Sequence, residues 1–186
     1  MARRISSINR IEKEKIVNDE GNCGLSIIEN KDLILNQVAV WPDTLVSVGE
    51  KISKKLNLEM HPQPCRAAST KEIAMLRIEP LKWWILGSEV ETFLSDQACI
   101  LDISHSRTHL KISGEQTKIY LNRFLPIDLR ENSFPINSVI STSFHHVGVV
   151  LWRSKNYYEI FIPRAFASSL CNILLESAAQ FGYEIK

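Results

Sequence analysis

Asp102, Ser104, His105, Ser106, Arg107 and His109 fall within eight positions, in the run DISHSRTH. A second run, STSFHHVGVVLWR, sets His145 beside His146, so four of the five histidines lie in two short stretches. Histidines four apart on a helix would aim at one zinc ion. Here His105 and His109 straddle two strand-like segments, with HSRT readable as a turn between them. On a straight strand His105, Arg107 and His109 would share a face, at about 7 Å per step of two residues. Arg107 between them would repel a metal, and no carboxylate or thiol has a register that completes the set. Nucleophilic catalysis fares no better. Ser104, Ser106 and Ser143 lie near histidines in sequence, but no GxSxG elbow is present. Cys99 sits in an apolar run that would raise its pKa and leave it inert. Asp102 ends the apolar run ACILD, so burial would require partners for it, supplied by Ser104 or by backbone N–H groups. No catalytic, cofactor-binding or metal residue is assigned.

The rest of the composition narrows the classes. At 186 residues, 45% hydrophobic, with a net charge of +1, the chain is an ordinary globular protein with no concentrated basic patch for nucleic acid. Its mean hydropathy is close to zero, at −0.07. The four cysteines, Cys23, Cys65, Cys99 and Cys171, form no CxxC pair, which reads as buried or half-buried thiols in a reducing compartment. The N-terminus is positively charged but has no apolar core of a signal peptide. The longest apolar run, near VGVVLW, is too short to span a membrane. A cytoplasmic protein is expected. No GxGxxG and no Gly-rich phosphate loop marks a nucleotide site.

The elements that must position these residues follow from periodicity. Residues 1–32 are charged and glycine-punctuated and read as an arm, with Ile5, Ile8 and Ile11 at helical spacing. LILNQVAVW is a strand ended by Pro42. Leu45, Val48, Ile52 and Leu56 then mark one face of a helix, capped by Asp43 or Thr44. IAMLRIEP and KWWILG are strands meeting near Pro80. Ser88 and Glu91 form a capping box before a short helix carrying Val90, Phe93 and Leu94. ACILDIS is the next strand. The order then recurs: strand THLKIS, a second capping box at Ser113 and Gln116, and a helix faced by Thr117, Tyr120, Leu121 and Phe124. Strands SVISTSF, VGVVLWR and YYEIFI come next. Pro163 opens a helix with stripe Phe166, Leu170, Ile173 or Leu174, and Phe181; Gly182 ends it, and YEIK is the last strand.

Each half is thus close to β-α-β-β-α-β, which predicts an α+β protein of two ferredoxin-like units, a pseudo-repeat of 33–104 and 107–186 within one domain, 33–186. KWWILG and VGVVLW are apolar at both parities, so both faces of those strands should be buried. A ferredoxin-like sheet has helices on one face only, and the other face needs cover from the other half or from a partner.

Five stretches, LRIEPLKWWILG, CILDISHSRTHLKISG, LNRFLPIDLRENSFP, STSFHHVGVVLWR and YEIFIPRAFASSLCNILLESAAQFGY, resemble the gamma subunit of heterotetrameric sarcosine oxidase in order from Met75 to Tyr183. The first seventy residues match only in general character. The resemblance implies a non-catalytic subunit of an oxidoreductase complex of sarcosine catabolism and one-carbon metabolism, with alpha, beta and delta subunits as partners. That complex demethylates sarcosine to glycine with tetrahydrofolate and oxygen, giving 5,10-methylenetetrahydrofolate and hydrogen peroxide. FAD, FMN, NAD, tetrahydrofolate and zinc are implied in the partners, none in this chain. The implied fold is similar to the N-terminal part of the glycine-cleavage T-protein. A KGCYxGQ-type folate-protein motif is absent, so folate binding is carried to no residue. The alternatives are a stand-alone folate-dependent one-carbon transfer protein, or the equivalent subunit of an N-methyl-amino-acid dehydrogenase complex. The residues expected at a subunit interface are Trp83, Trp84, His105, Arg107, His109, His145, His146, Trp152 and Arg164.

Because both tryptophan-bearing strands read as buried on two faces, Trp83→Ala or Trp152→Ala is expected to cost ~3–5 kcal/mol. Denaturant unfolding of either variant measures it.

Overall fold

The computed structural model describes residues 6, 15–18 and 21–186. Among these described residues twelve strands and three α-helices follow in chain order. They are β1 (Lys15–Ile16), β2 (Leu25–Glu29), β3 (Leu35–Val40), α1 (Leu45–Lys55), β4 (Ala67–Ser69), β5 (Ala74–Glu79), β6 (Lys82–Leu86) and β7 (Ala98–Asp102). Then come β8 (Arg107–Ser113), α2 (Thr117–Leu121), β9 (Val139–Phe144), β10 (Val147–Arg153), β11 (Tyr158–Pro163), α3 (Ala167–Ala178) and β12 (Tyr183–Ile185). The architecture is α+β. The chain divides into two compact units, one of Leu33–His105 with Asn137–Ile140, the other of Met1–Asp32, Ser106–Ile136 and Ser141–Lys186.

In the first of these units the sheet order is β4-β5-β6-β3-β7. With β3, β5, β6 and β7 as first to fourth strands, the order fourth-first-third-second is that of the split βαβ unit, and β4 is an added edge. α1 crosses between β3 and β5. Its Val48 and Ile52 are buried with Val38, Met75, Trp83 and Ile85 in one apolar cluster, while Lys54 and Lys55 sit at the end where the helix dipole favours cations. Thr44 is its N-terminal cap residue but makes no side-chain cap bond. Its hydroxyl donates instead to the Gln97 carbonyl, at 2.7 Å.

The helix expected from Ser88 and Glu91 does not form; residues 88–97 are irregular. Glu91 does not reach back to the Ser88 backbone, because its carboxylate is taken by Lys55 at 3.1 Å and Lys51 at 3.6 Å, both on α1. Val90 and Phe93 still pack on the apolar cluster from this irregular chain, so burial is achieved without a helix. Leu94 is exposed.

The second unit holds the sheet β1-β12-β2-β8-β11-β10-β9. Taking β8, β10, β11 and β12 as first to fourth strands gives the same split order, with one strand inserted. That strand is β2, which runs parallel to β12 and antiparallel to β8. It comes from the 1–32 segment that reads as an arm in the sequence. Leu25 and Ile27 are buried while their neighbours are half-exposed, the alternation of a one-face-buried strand. The Ile5, Ile8 and Ile11 spacing lies outside the described residues.

α2 is only five residues long. Its expected capping box is absent, because Ser113 is still paired with Ser26 in the sheet and Gln116 is itself the cap position without a side-chain bond. Tyr120 anchors the helix by donating its hydroxyl to the Leu174 carbonyl on α3, at 2.8 Å. α3 buries Leu170 and Leu174, but Phe166 falls in a short turn of tighter helix before it and is half exposed. Gly182 has a positive φ of 67° as it leaves the helix. Both expected double-sided strands are found: Trp83, Trp84 and Ile85 on β6, and Val150, Leu151 and Trp152 on β10, are buried at both parities.

Gly114, between β8 and α2, has φ +127°, and a Cβ there would overlap the Gly24 carbonyl. Gly148 has no neighbour within 4 Å of such an atom. Gly114→Ala is therefore expected to lower stability by ~2 kcal/mol or more, and Gly148→Ala by less than ~0.5 kcal/mol. Urea midpoints of the two variants check the contrast.

Candidate functional site

The DISHSRTH run does not assemble a site. β7 ends at Asp102, whose Oδ1 accepts the Ser104 N–H at 2.8 Å. That partner is the expected one, although Asp102 is exposed and not buried. Ser104 to Ser106 make one tight helical turn, and the Ser104 hydroxyl accepts the Leu35 N–H at 2.9 Å, pinning the start of β3. His105 is exposed in this turn. His109 lies in the middle of β8 with 0% exposure. The turn removes any common face for His105, Arg107 and His109.

His145 and His146 form the two-residue connection between β9 and β10. His145 has φ +51°, the conformation that tight hairpin turns of this kind require. Its ring lies on Phe144, with centroids 5.2 Å apart, and 6.4 Å from Phe124. It thus covers an aromatic pair, and both histidines are exposed.

The fold brings two buried ionisable groups together on neighbouring strands, His109 and Glu159. The register pairs His109 with Phe161 and Lys111 with Glu159, so His109 and Glu159 are diagonal neighbours on one face. His109 Nε2 and Glu159 Oε2 are 2.8 Å apart, and Glu159 is only 3% exposed. On the other side of the ring the Asn30 side-chain amide is hydrogen-bonded to His109 Nδ1, at 3.2 Å. The Asn30 N–H also donates to the His109 carbonyl, at 2.9 Å. Phe161 stacks on the imidazole at 4.3 Å and 7°, and Lys111 Nζ is 3.9 Å from the carboxylate.

Burial pushes the Glu159 carboxyl up. The hydrogen bond and charge of His109, the Ser154 hydroxyl and the Lys111 charge outweigh it and hold the group below the usual glutamate range. An acid, an imidazole and an amide in line resemble a general-base relay. Full burial of His109 denies it a substrate, so the arrangement is a structural pair. Glu159 and Asn30 are not among the expected site residues. The available signal is the glutamate itself, in the middle of the apolar run YYEIFI, where a buried carboxylate demands a partner.

Two arginines are likewise committed inside their own units. Arg77 Nη2 donates to the Pro80 carbonyl at 2.6 Å. Arg153 donates through Nη1 to the Phe134 carbonyl at 2.6 Å and through Nη2 to Glu131 at 2.6 Å.

Of the expected interface residues, Trp83, Trp84, His109 and Trp152 are buried within the chain and offer no surface. His105, His145 and His146 are exposed, and Arg107 and Arg164 are half-buried. Exposed apolar side chains that the sequence reading does not single out include Trp41 and Leu101. All four cysteines are free. Cys23, Cys65 and Cys99 are exposed, against the expectation of buried thiols and of an apolar setting for Cys99. Cys171 alone is buried, which pushes its thiol up to about 12, with the Glu29 charge adding to the shift. Among the described residues no group of three or more His, Cys, Asp or Glu side chains could hold a metal ion. Nor is any described helix long and apolar enough to cross a membrane.

The fold is α+β and is similar to that of a glycine-cleavage aminomethyltransferase. Aminomethyltransferase T of the glycine cleavage system from Bartonella henselae superposes with a TM-score of 0.61 at 12% identity, over 88% of this chain and 48% of that one. A second likeness is stronger: a chain of the heterotetrameric sarcosine oxidase from Corynebacterium sp. U-96, in complex with pyrrole 2-carboxylate, gives a TM-score of 0.77 at 18% identity over 96% of both chains. In sequence the chain is 30% identical over 101 residues to the sarcosine oxidase subunit gamma of Corynebacterium sp. strain P-1, covering 53% of this chain and 50% of that protein. The gamma subunit from an Arthrobacter species is 29% identical over 91 residues, covering 49% of this chain and 45% of that protein. The chain thus spans about half the length of the curated relatives it matches. No protein-family model matches it. The resemblance read from the five stretches is borne out by these relatives.

Breaking a buried ion pair by removing one partner costs ~3–5 kcal/mol, so Glu159→Ala should lose about that much stability. A carboxyl held below its unfolded value, about 4.3, contributes stability above that pH and loses it as the pH falls through the lower folded value. Urea unfolding from pH 7 to pH 3 should show this loss, and Glu159→Gln should flatten it.

Proposed function

We propose that this chain is a non-catalytic gamma-type subunit of a heterotetrameric sarcosine oxidase. The reading is carried by the 30% identity over 101 residues to a curated gamma subunit. The likeness in fold over 96% of the chain supports it. The complex would oxidatively demethylate sarcosine to glycine, with tetrahydrofolate and oxygen, giving 5,10-methylenetetrahydrofolate and hydrogen peroxide. FAD, FMN, NAD, tetrahydrofolate and zinc would belong to alpha, beta and delta partners in the cytoplasm. The buried histidine of the DISHSRTH run serves the sheet, and no step of the chemistry is assigned to this chain. His105, Arg107, His145, His146 and Arg164 remain the proposed contacts with those partners. An N-methyl-amino-acid dehydrogenase complex would use an equivalent subunit in the same way.

One observation favours a second reading, a stand-alone folate-dependent one-carbon transfer protein: the superposition on aminomethyltransferase T. Fold alone does not fix function. Co-expression with its partner chains, followed by native mass spectrometry and an oxidase assay, tests the first reading. The chain should co-purify at equal stoichiometry through an interface of ~2,000 Å² or more, and alone it should be colourless and turn over no sarcosine. A fully active oxidase formed without it would defeat the subunit reading. A stable monomer that binds tetrahydrofolate tightly would establish the second.

A further inference from the structure

The five-stranded sheet ends on one side at β7, which pairs with β3 and, among the described residues, with no strand on its outer edge. The backbone groups of an antiparallel pair alternate in direction. The Ile103 N–H donates to the Leu35 carbonyl at 2.9 Å, while the Val40 N–H donates away from β7, to the Leu81 carbonyl at 3.0 Å. The odd-numbered residues of β7 therefore turn their backbone groups to β3, and the even-numbered ones turn theirs outward. The Ala98 N–H is taken by the Leu94 carbonyl, at 3.1 Å, which leaves the N–H and C=O of Ile100 facing out at the centre of the strand. Such an edge is a template for another strand, and proteins commonly blunt it with lysine, proline or a bulge. β7 carries none of these: it is five residues, ACILD, in unbroken register with β3.

Ile100 packs on the apolar cluster under α1, so Cys99 and Leu101 lie on the opposite face. Both are exposed, Leu101 at 55%. The apolar surface continues beyond one end of β7. The turn that leads into it is tied to the end of β3, because the Trp41 indole N–H donates to the Ser95 carbonyl at 3.3 Å and the Thr44 hydroxyl donates to the Gln97 carbonyl. The one polar group of the Trp41 side chain is thus satisfied inside the unit, while the residue stays 57% exposed and Leu94 beside it 68% exposed. An aromatic ring held with its apolar surface outward is the kind of residue that dominates binding energies. Asp43 and Asp96 stand exposed within two residues of Trp41 and Leu94, whereas Lys51 and Lys55 on α1 are held by Glu91.

We infer that the β7 edge takes an extended segment of a partner protein as an added strand, hydrogen-bonded to Ile100, with alternate apolar side chains over Cys99 and Leu101 and a lysine or arginine at the end near Asp43 and Asp96. Strand addition of this kind draws affinity from the main chain and specificity from alternate side chains. A second copy of this chain fits less well. Its own β7 carries no basic residue to meet the acids, and five residues fall short of the ~20–30 a side of a stable interface. A strand so short is held when its chain is anchored elsewhere, so the inference rests on the subunit reading, in which partner chains exist.

Residue-resolved hydrogen–deuterium exchange of the full chain, alone and in the co-expressed complex, tests it. In the free chain the Ile100 amide should exchange much faster than those of Cys99 and Leu101, which are bonded to β3. In the complex it should slow about tenfold or more. Leu101→Lys and Asp96→Lys, both at exposed positions, should each weaken assembly about tenfold or more. Met60→Lys, at an exposed apolar position past the other end of α1, should assemble as the parent does. A complex that forms with the Ile100 amide still exchanging freely, or that tolerates Leu101→Lys or Asp96→Lys as well as Met60→Lys, overturns the added strand and leaves the subunit reading standing. Failure of the parent chain to assemble removes both. A dimer of the chain alone that Leu101→Lys dissolves gives the edge to a second copy and overturns the inference.

Discussion

A buried carboxylate beside a buried imidazole is tolerable only while the two stay together. That condition governs the larger sheet. His109 and Glu159 meet because β8 and β11 pair with His109 opposite Phe161 and Lys111 opposite Glu159. A slip of one residue would turn Glu159 to the face that carries Leu110 and Ile112, where no cation waits for it. The apolar residues of these strands would tolerate many registers, whereas the ion pair tolerates one. Specification of register is the best-attested use of buried polar groups. Asn30 extends the same constraint to a third strand, since it reaches His109 from just beyond the end of β2 through both its side chain and its backbone. The N-terminal strand is therefore held by matched polar groups as well as by Leu25 and Ile27.

Much of the fold was legible because its strands carry apolar residues at both parities and its two longer helices keep a stripe at steps of three and four. α1 shows Val48 and Ile52, α3 shows Leu170 and Leu174, and each was placed within a few residues. Local motifs misled where a tertiary partner competed for the same atoms. Ser88 and Glu91 have the spacing of a capping box, but two lysines on α1 outbid the backbone for the glutamate. Ser113 and Gln116 have it too, and the sheet keeps Ser113. The strand at Leu25–Glu29 was unreadable for a different reason. It is inserted between β12 and β8, which lie roughly 155 and 80 positions further along the chain, and no local pattern announces a partner that distant.

The candidate site was legible only in part: the turn at HSRT was readable from the sequence, and the long-range partner of His109 was not. His105 and His109 are four residues apart, yet one ends in solvent on a tight turn and the other in the centre of a sheet. The partner that gives His109 its role stands fifty positions later and looked like one more polar residue in an aromatic strand. The converse error concerned the tryptophans. Strands apolar on both sides argue for burial, and burial is what Trp83, Trp84 and Trp152 have; the same observation cannot also supply a docking surface. Adjacent aromatic residues on a central strand read as core once both parities are apolar.

The two likenesses in fold, at 18% and 12% identity, concern the fold alone, and the use this chain makes of that fold is read from its own side-chain contacts. A transferase acting alone needs a cavity that presents its acid or base to the ligand. Among the described residues the His109–Glu159 pair sits where ligand has no access, and the buried arginines Arg77 and Arg153 are tied to backbone carbonyls in their own units. Those commitments are what a scaffold requires: charges used to fix register and turns, with exposed histidines and aromatic side chains left outside. A fold shared with a catalyst can thus be kept for its shape while its polar groups are redeployed to hold that shape. The buried pair that looks most like an active site is the feature that fixes the register of the larger sheet.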